Sequence, residues 1–204
     1  MNVQRLVPLS GVAAVLALVA SLAVAGSTPA ADASTAKVVS FYTEHDAAQV
    51  ASAILLGFGA LFLLVFVALL AGRFGGGLGA LCLGGGVLIA SGFALFACLA
   101  LALGQLADDL DPAALQALNV LNQALFYPVT IGASAVLLAG GIVSLTTDLL
   151  PRWLGRPALV LAVVAAIPSH VLGGALDHIG FFGFLGLLAW MLVVSVALAR
   201  RPAV

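Results

Sequence analysis

The amino-acid sequence predicts an all-α membrane protein, a polytopic helical bundle of about six transmembrane helices with both termini in the cytoplasm. Three observations carry that expectation. Of 204 residues, 64% are hydrophobic and only 7% charged, with a mean hydropathy of +1.27. A water-soluble domain keeps about a quarter of its residues charged to cover its surface, so the solvent for this chain is lipid. The apolar residues fall into runs close to the ~20 that a helix needs to cross a bilayer. The basic residues fall between those runs, and almost all on alternate turns.

The first run, residues 6–26, follows the short basic start at 1–5. Ala23-Val-Ala25 fits the small-x-small pattern of a signal cleavage site, but signal cores are usually about 7–15 residues. An uncleaved first span is therefore expected. The outer loop, 27–47, is the longest connection. Its second half, 34–46, sets Val38, Val39, Phe41 and Tyr42 among Lys37, Glu44, His45 and Asp46, the pattern of a short amphipathic helix on the membrane interface. The second span, 48–72, closes on Arg73, and the glycines of 75–79 turn the chain into the third, 78–104.

Asp111-Pro112 is a strong helix start, because the carboxylate caps free N–H groups and proline suits the first helical position. The helix it opens is expected over 112–145. At about 50 Å it outreaches the hydrocarbon core, and Tyr127-Pro128 should bend it. Pro151-Arg-Trp153 supplies a basic and aromatic anchor at the next turn. The fifth span is expected over 157–176 and the sixth over 178–199, stopping at Arg200-Arg201. The whole, 1–204, reads as one membrane domain.

Orientation follows from charge. With six spans Arg5, Arg73, Arg152, Arg156, Arg200 and Arg201 share one side and Lys37 falls opposite. The positive-inside rule makes the arginine side cytoplasmic. Asp148 joins it, while Asp32, Glu44, Asp46, Asp108, Asp109, Asp111 and Asp177 lie outside.

The same residues narrow the function. No Asp, Glu, Lys or Arg stands in the middle of a span, where a charge costs about 2.5–3.5 kcal/mol and is kept chiefly for ion or proton handling. A charge-relay pump is not expected. The glycine-rich stretch 72–86 lacks the Gly-Lys-Ser/Thr of a phosphate loop; tight packing explains it, and no cofactor is implied. Cys82 and Cys98 lie on one helix about 24 Å apart, beyond disulfide reach. A net charge of −1 gives no reason to expect nucleic acid. Lipid is the partner that composition dictates, with other membrane proteins or further copies of the chain as candidates through helix packing.

Two constellations could carry chemistry. Gln116, Asn119, Gln123 and Tyr127 are spaced three, four and four, one stripe down the outer half of the fourth helix, with Asn122 beside it. With His170 of the fifth span they could line a polar pocket open to the outside, between the fourth and fifth helices. Alternatively they stand above the membrane or bond to neighbouring helices. The histidines all fall on the outer side. His45, His170 and His178, with Asp177, could hold a divalent ion if the fold brought three or four ligands together. No HxH or HExxH spacing is present, and no GxSxG marks a nucleophile, so no catalytic residue is assigned.

Phe41-Tyr-Thr-Glu-His45, Leu150-Pro-Arg-Trp-Leu-Gly155 and Trp190-Met-Leu-Val-Val-Ser195 resemble segments of a group of small polytopic membrane proteins from GC-rich bacteria. That resemblance implies a six-helix bundle and no assigned activity, so no functional residue comes with it. The expected function is therefore that of a non-enzymatic membrane protein, structural or accessory through helix packing. A small-solute binder or facilitator, and a metal-dependent enzyme at the outer surface, are the alternatives.

Overall fold

A computed structural model describes residues 7–167 and 179–200. Helix α1 (Ser10–Ala25) follows a 3-10 turn at Val7–Leu9, and α2 (Thr35–Glu44) is the short interfacial helix. The long helices α3 (Asp46–Phe74) and α4 (Gly76–Gln105) form a hairpin, followed by α5 (Pro112–Ala124), α6 (Phe126–Thr146), α7 (Gly155–Ala166) and α8 (Ile179–Ala199). The chain is an all-α bundle. Among the described residues, α1 with its leading turn, α3, α4, the α5–α6 pair and α8 are each long and apolar enough to cross a membrane. Of the expected fifth span, the described part is α7 and Ile167; positions 168–176 lie outside the described residues.

Local chemistry sets the boundaries. Gly75 and Gly76 turn the α3–α4 hairpin with φ of +65° and +48°, a backbone that side chains with a Cβ resist. Asp111 caps α5 by accepting from the Ala113 N–H at 2.8 Å. The fourth span is interrupted at Leu125, in the turn before Tyr127-Pro128. Pro128 has no N–H to give to the carbonyl four residues back, Ala124, and its ring crowds that carbonyl, so the disruption falls one turn earlier.

Contacts along the helices give their directions. Leu18 packs at Gly59 and Ser21 at Ser52, so α1 and α3 are antiparallel. Gly86 meets Val67 across α3–α4, Gly132 meets Gly85 across α4–α6, Gly155 meets Leu145 beside α6–α7, and Gly183 meets Ala165 across α7–α8. The alternation is continuous. It gathers Arg73, Arg152, Arg156 and Arg200 at one end of the bundle, the arginine end. Lys37, Glu44, Asp46, Asp108, Asp109 and Asp111 lie at the other, the loop end.

The core suits lipid. A Cβ at Gly132 would sit 2.5 Å from the Gly85 carbonyl oxygen, and one at Gly85 would sit 2.7 Å from that of Gly132. The α4 and α6 backbones thus touch, the contact that small residues permit between membrane helices. A large core cluster built on Leu63, Phe66, Leu137, Phe184 and Met191 runs through the bundle. Apolar side chains also point outward. Leu16, Phe58 and Phe182 are 64%, 54% and 62% exposed, as a lipid-facing surface requires. Trp153 stands exposed at the arginine end, where an aromatic ring anchors at the interface. A second, smaller cluster at the loop end joins Val38 and Tyr42 of α2 to Leu103, Ala107 and Leu115.

Candidate functional site

Among the described residues, the amides of the stripe bond to the loop between α1 and α2 rather than to another long helix. Gln123 Nε2 donates to Thr28 Oγ1 and to the Pro29 carbonyl, at 3.3 and 3.1 Å. One turn back along α5, Asn119 Nδ2 donates to the carbonyls of Pro29 and Ala30, at 3.3 and 3.4 Å. Gln116 Nε2 donates to Ala31 and Ala33, at 3.2 and 3.1 Å. Residues 28–33 therefore run antiparallel to α5, and three successive amides pin their carbonyls. The loop segment, rich in alanine and holding Pro29, has few side-chain donors to satisfy those carbonyls, and the stripe supplies them.

Tyr42 sets the polarity of this zipper. Its hydroxyl, fully buried, donates to Asn119 Oδ1 at 2.9 Å. Burial pushes the phenol up from 10.0 to about 12, so it stays protonated and remains a donor. With Oδ1 occupied as acceptor, Asn119 Nδ2 is directed to the loop.

Tyr127 does not share this environment. It is 47% exposed and lies past the interruption of the helix at Leu125. His170, Ser169, Asp177 and His178 lie outside the described residues. His45 is committed locally, with Nδ1 2.9 Å from the Phe41 carbonyl and its ring stacked on Phe41 at 4.6 Å. Among the described residues, no three His, Cys, Asp or Glu side chains converge as a metal site would need.

Beneath the pinned loop lies a cavity of about 590 Å³. Its roof is loop residues including Gly26, Thr28 and Asp32, and Gln123 belongs to both roof and zipper. Its floor is apolar, with Leu18, Leu56, Phe93, Phe126 and Phe184. Phe93 and Phe126 meet Phe184 edge to face, at centroid distances of 5.7 and 5.5 Å. The walls come from α1, α3, α4, α5, α6 and α8. None of the described lining residues is on α7; the outer half of the expected fifth span, 168–176, with its share of the pocket expected between the fourth and fifth spans, lies outside the described residues.

Most polar groups of the wall are already committed. Ser21 and Ser52 bond to each other across α1 and α3, with hydroxyl oxygens 2.9 Å apart. Their hydroxyls also reach each other's carbonyls, at 3.0 and 3.1 Å. Gln49 Nε2 donates to the Ala25 carbonyl at 3.2 Å and closes the end of α1. Asn122 differs: only 5% exposed, it borders the cavity, and its Oδ1 is closed off from water and has no hydrogen-bond partner. A buried unpaired amide oxygen costs about 1–3 kcal/mol. The sequence marks Asn122 only as a neighbour of the stripe; its offset from the Gln116–Asn119–Gln123 face is the signal that it looks elsewhere. Ser21, Gln49 and Ser52 carried no signal, since isolated polar residues in apolar runs usually bond within the bundle.

Comparison with protein-family models, with curated proteins and with solved structures finds no match to this chain.

Proposed function

We propose that this chain is a non-enzymatic integral protein of a bacterial plasma membrane that holds a small molecule in the cavity beneath its outer loop. The observation that carries the reading is the cavity itself, about 590 Å³, with Leu18, Leu56, Phe93, Phe126 and Phe184 in its wall beside the polar Ser21, Gln49 and Ser52. Ligand sites are typically concave, about 300–1,000 Å³, and mostly apolar with a few polar groups. This cavity has those properties. A screen of small solutes and divalent ions for thermal stabilisation of the purified protein tests the reading. Hits should vanish in Ala100→Phe, which puts a ring into the space that Ala100 borders. If no compound stabilises the wild type, or every hit survives in Ala100→Phe, the cavity is not the site.

The plasma-membrane assignment and its orientation rest on the arginine asymmetry between the two ends. Single cysteines in a background lacking Cys82 and Cys98 test them in intact cells. Thr35→Cys and Asp109→Cys should react with an impermeant reagent, and Arg156→Cys should not. The opposite pattern overturns the orientation.

An accessory role through helix packing is the second reading. Gly57 of α3 and Gly77 and Gly84 of α4 have open space where a Cβ would stand, so a further helix could approach them closely. Gly84→Leu should then disperse any oligomer or complex resolved by gentle solubilisation; an unchanged size would count against it.

A further inference from the structure

The wall of the cavity changes character one turn below the loop. Ser21 of α1 gives way to Leu18, Ser52 of α3 to Leu56, and Asn122 of α5 to Phe126 at the start of α6, each three or four positions further from the loop. Two phenylalanine pairs at the same one-turn spacing, Phe93 with Phe96 on α4 and Phe181 with Phe184 on α8, complete the apolar part. Phe184 is its centre: the rings of Phe93, Phe126 and Phe181 lie 5.7, 5.5 and 6.5 Å from it, centroid to centroid. The polar part is largely spent within the protein. Ser21 and Ser52 bond to each other, Gln49 donates to the Ala25 carbonyl, Gln123 donates to the loop, and Asn122 Oδ1 is closed off. No described lining residue is basic, and the one ionisable group among them is the carboxylate of Asp32, exposed at the roof.

These features select against polarity in whatever occupies the apolar part. A charged group would enter it without a counter-charge, and a hydroxyl carried there would lose water without gaining a partner. Lining atoms that face a gap forfeit dispersion contacts; hydrocarbon supplies them and needs neither donor nor acceptor. Resting on the cavity reading above, we propose that the occupant is a hydrocarbon chain, lying against Phe93, Phe126 and Phe184 with no hydrogen bond to the wall. The tail of a bilayer lipid and a free apolar molecule present that same chemistry.

The full chain in lipid nanodiscs tests the proposal with two probes, phosphatidylcholine bearing a diazirine midway along one tail and decane bearing the same group. Cross-links are mapped to single residues by mass spectrometry. Phe93 and Phe184 are only 5% and 1% exposed, so a probe that stays outside the bundle does not reach them, whereas Leu95 and Phe182, 52% and 62% exposed, report the surrounding lipid. Labels on Phe93 and Phe184 are expected. Their formation by the phosphatidylcholine probe makes a bilayer tail the source, and by decane alone a free molecule. Ala100→Phe, or the milder Ala100→Leu should the first not fold, should sharply reduce these labels and leave those on Leu95 and Phe182 unchanged. Unlabelled decane should compete at least as well as 1-decanol at equal mole fraction in the bilayer. If 1-decanol competes about tenfold better, the factor one hydrogen bond can supply, the wall takes a hydroxyl and the proposal is overturned. Labels confined to Leu95 and Phe182, or undiminished at Phe93 and Phe184 in both Ala100 variants, also overturn it. Solute-screen hits that vanish in Ala100→Phe would then keep the cavity reading without its hydrocarbon occupant, and a screen without such hits would end both.

Discussion

The two ends of this bundle are held together by different physics. Toward the arginine end, helices meet through absent side chains. Gly85 and Gly132 bring two backbones into contact, and Gly141 and Gly155 lie against each other's carbonyls. Two hydroxyls there turn back on their own helix: Ser144 donates to the Gly140 carbonyl and Thr146 to that of Ile142. Toward the loop end, side chains bond across long sequence separations. Ser21 reaches Ser52, Tyr42 reaches Asn119, and Gln116 reaches Ala31 and Ala33. Shape alone suffices where both partners are regular helices whose backbone groups are already satisfied. An irregular segment such as 28–33 arrives with free carbonyls, and at a membrane surface those need donors. The polar network answers a local deficit and leaves two buried amide oxygens, Gln116 Oε1 and Asn122 Oδ1, unpaired.

The comparison is open to attack from its strongest side first. Gly132→Leu forces a side chain into the Gly85 backbone, which cannot move aside as a flexible side chain would. Overpacking typically costs about 1–3 kcal/mol and more where backbone is struck, so this variant should yield little monodisperse protein. A normal elution profile and melting temperature would mean that the α4–α6 crossing is looser than described.

At the loop end, Asn119→Leu strands the Tyr42 hydroxyl and removes one donor each from the carbonyls of Pro29 and Ala30, which keep Gln123 Nε2 and the Ala33 N–H. The expected loss is about 1–3 kcal/mol, together with faster proteolysis within 28–33. Gln123→Leu should cost less, about 0.6 kcal/mol, the average for a polar contact in a membrane protein. Its neighbours keep the loop pinned. Equal effects from the two substitutions would show that the zipper is not centred on Asn119.

The Tyr42 phenol gives a pH signature confined to this end. Its folded value, about 12, lies above its ordinary 10.0, so the folded state holds the proton more tightly. The stabilisation is complete below pH 10 and declines as pH rises from about 10 toward 12. Tyr42→Phe should be less stable at neutral pH, for want of the bond to Asn119. Its melting temperature should fall less steeply than that of the wild type above pH 10. Parallel curves would mean that the hydroxyl is not buried as described.

The helical fold was legible in the sequence because lipid leaves few choices: apolar runs of spanning length must be helices. The interfacial helix around Phe41 and Tyr42, and the Asp111-Pro112 start, were equally readable from local chemistry. The interruption at Leu125 was legible to within a turn, since proline disrupts the carbonyl four residues behind it rather than its own position. The stripe was visible as a face, but its partner was not. Spacing shows which side chains point together and says nothing about what they meet. The partner, 28–33, is alanine-rich and featureless except for carbonyls that every residue has. Asn122 was legible only as an offset from that face, and of the cavity only Gln123 was named, because its walls are a gap between six helices rather than a property of any one.

The central claim is that the zipper roofs a cavity reachable from the loop side. A cysteine at Ala100, on the cavity wall, in a background lacking Cys82 and Cys98, reads it most directly through its rate of reaction with a small water-soluble thiol reagent. The account predicts slow labelling with the loop intact and markedly faster labelling when Asn119→Leu releases it. Ser144→Cys, buried toward the arginine end, should stay unreactive in both backgrounds. No reaction at position 100 in either background, or a rate that ignores Asn119, would contradict it.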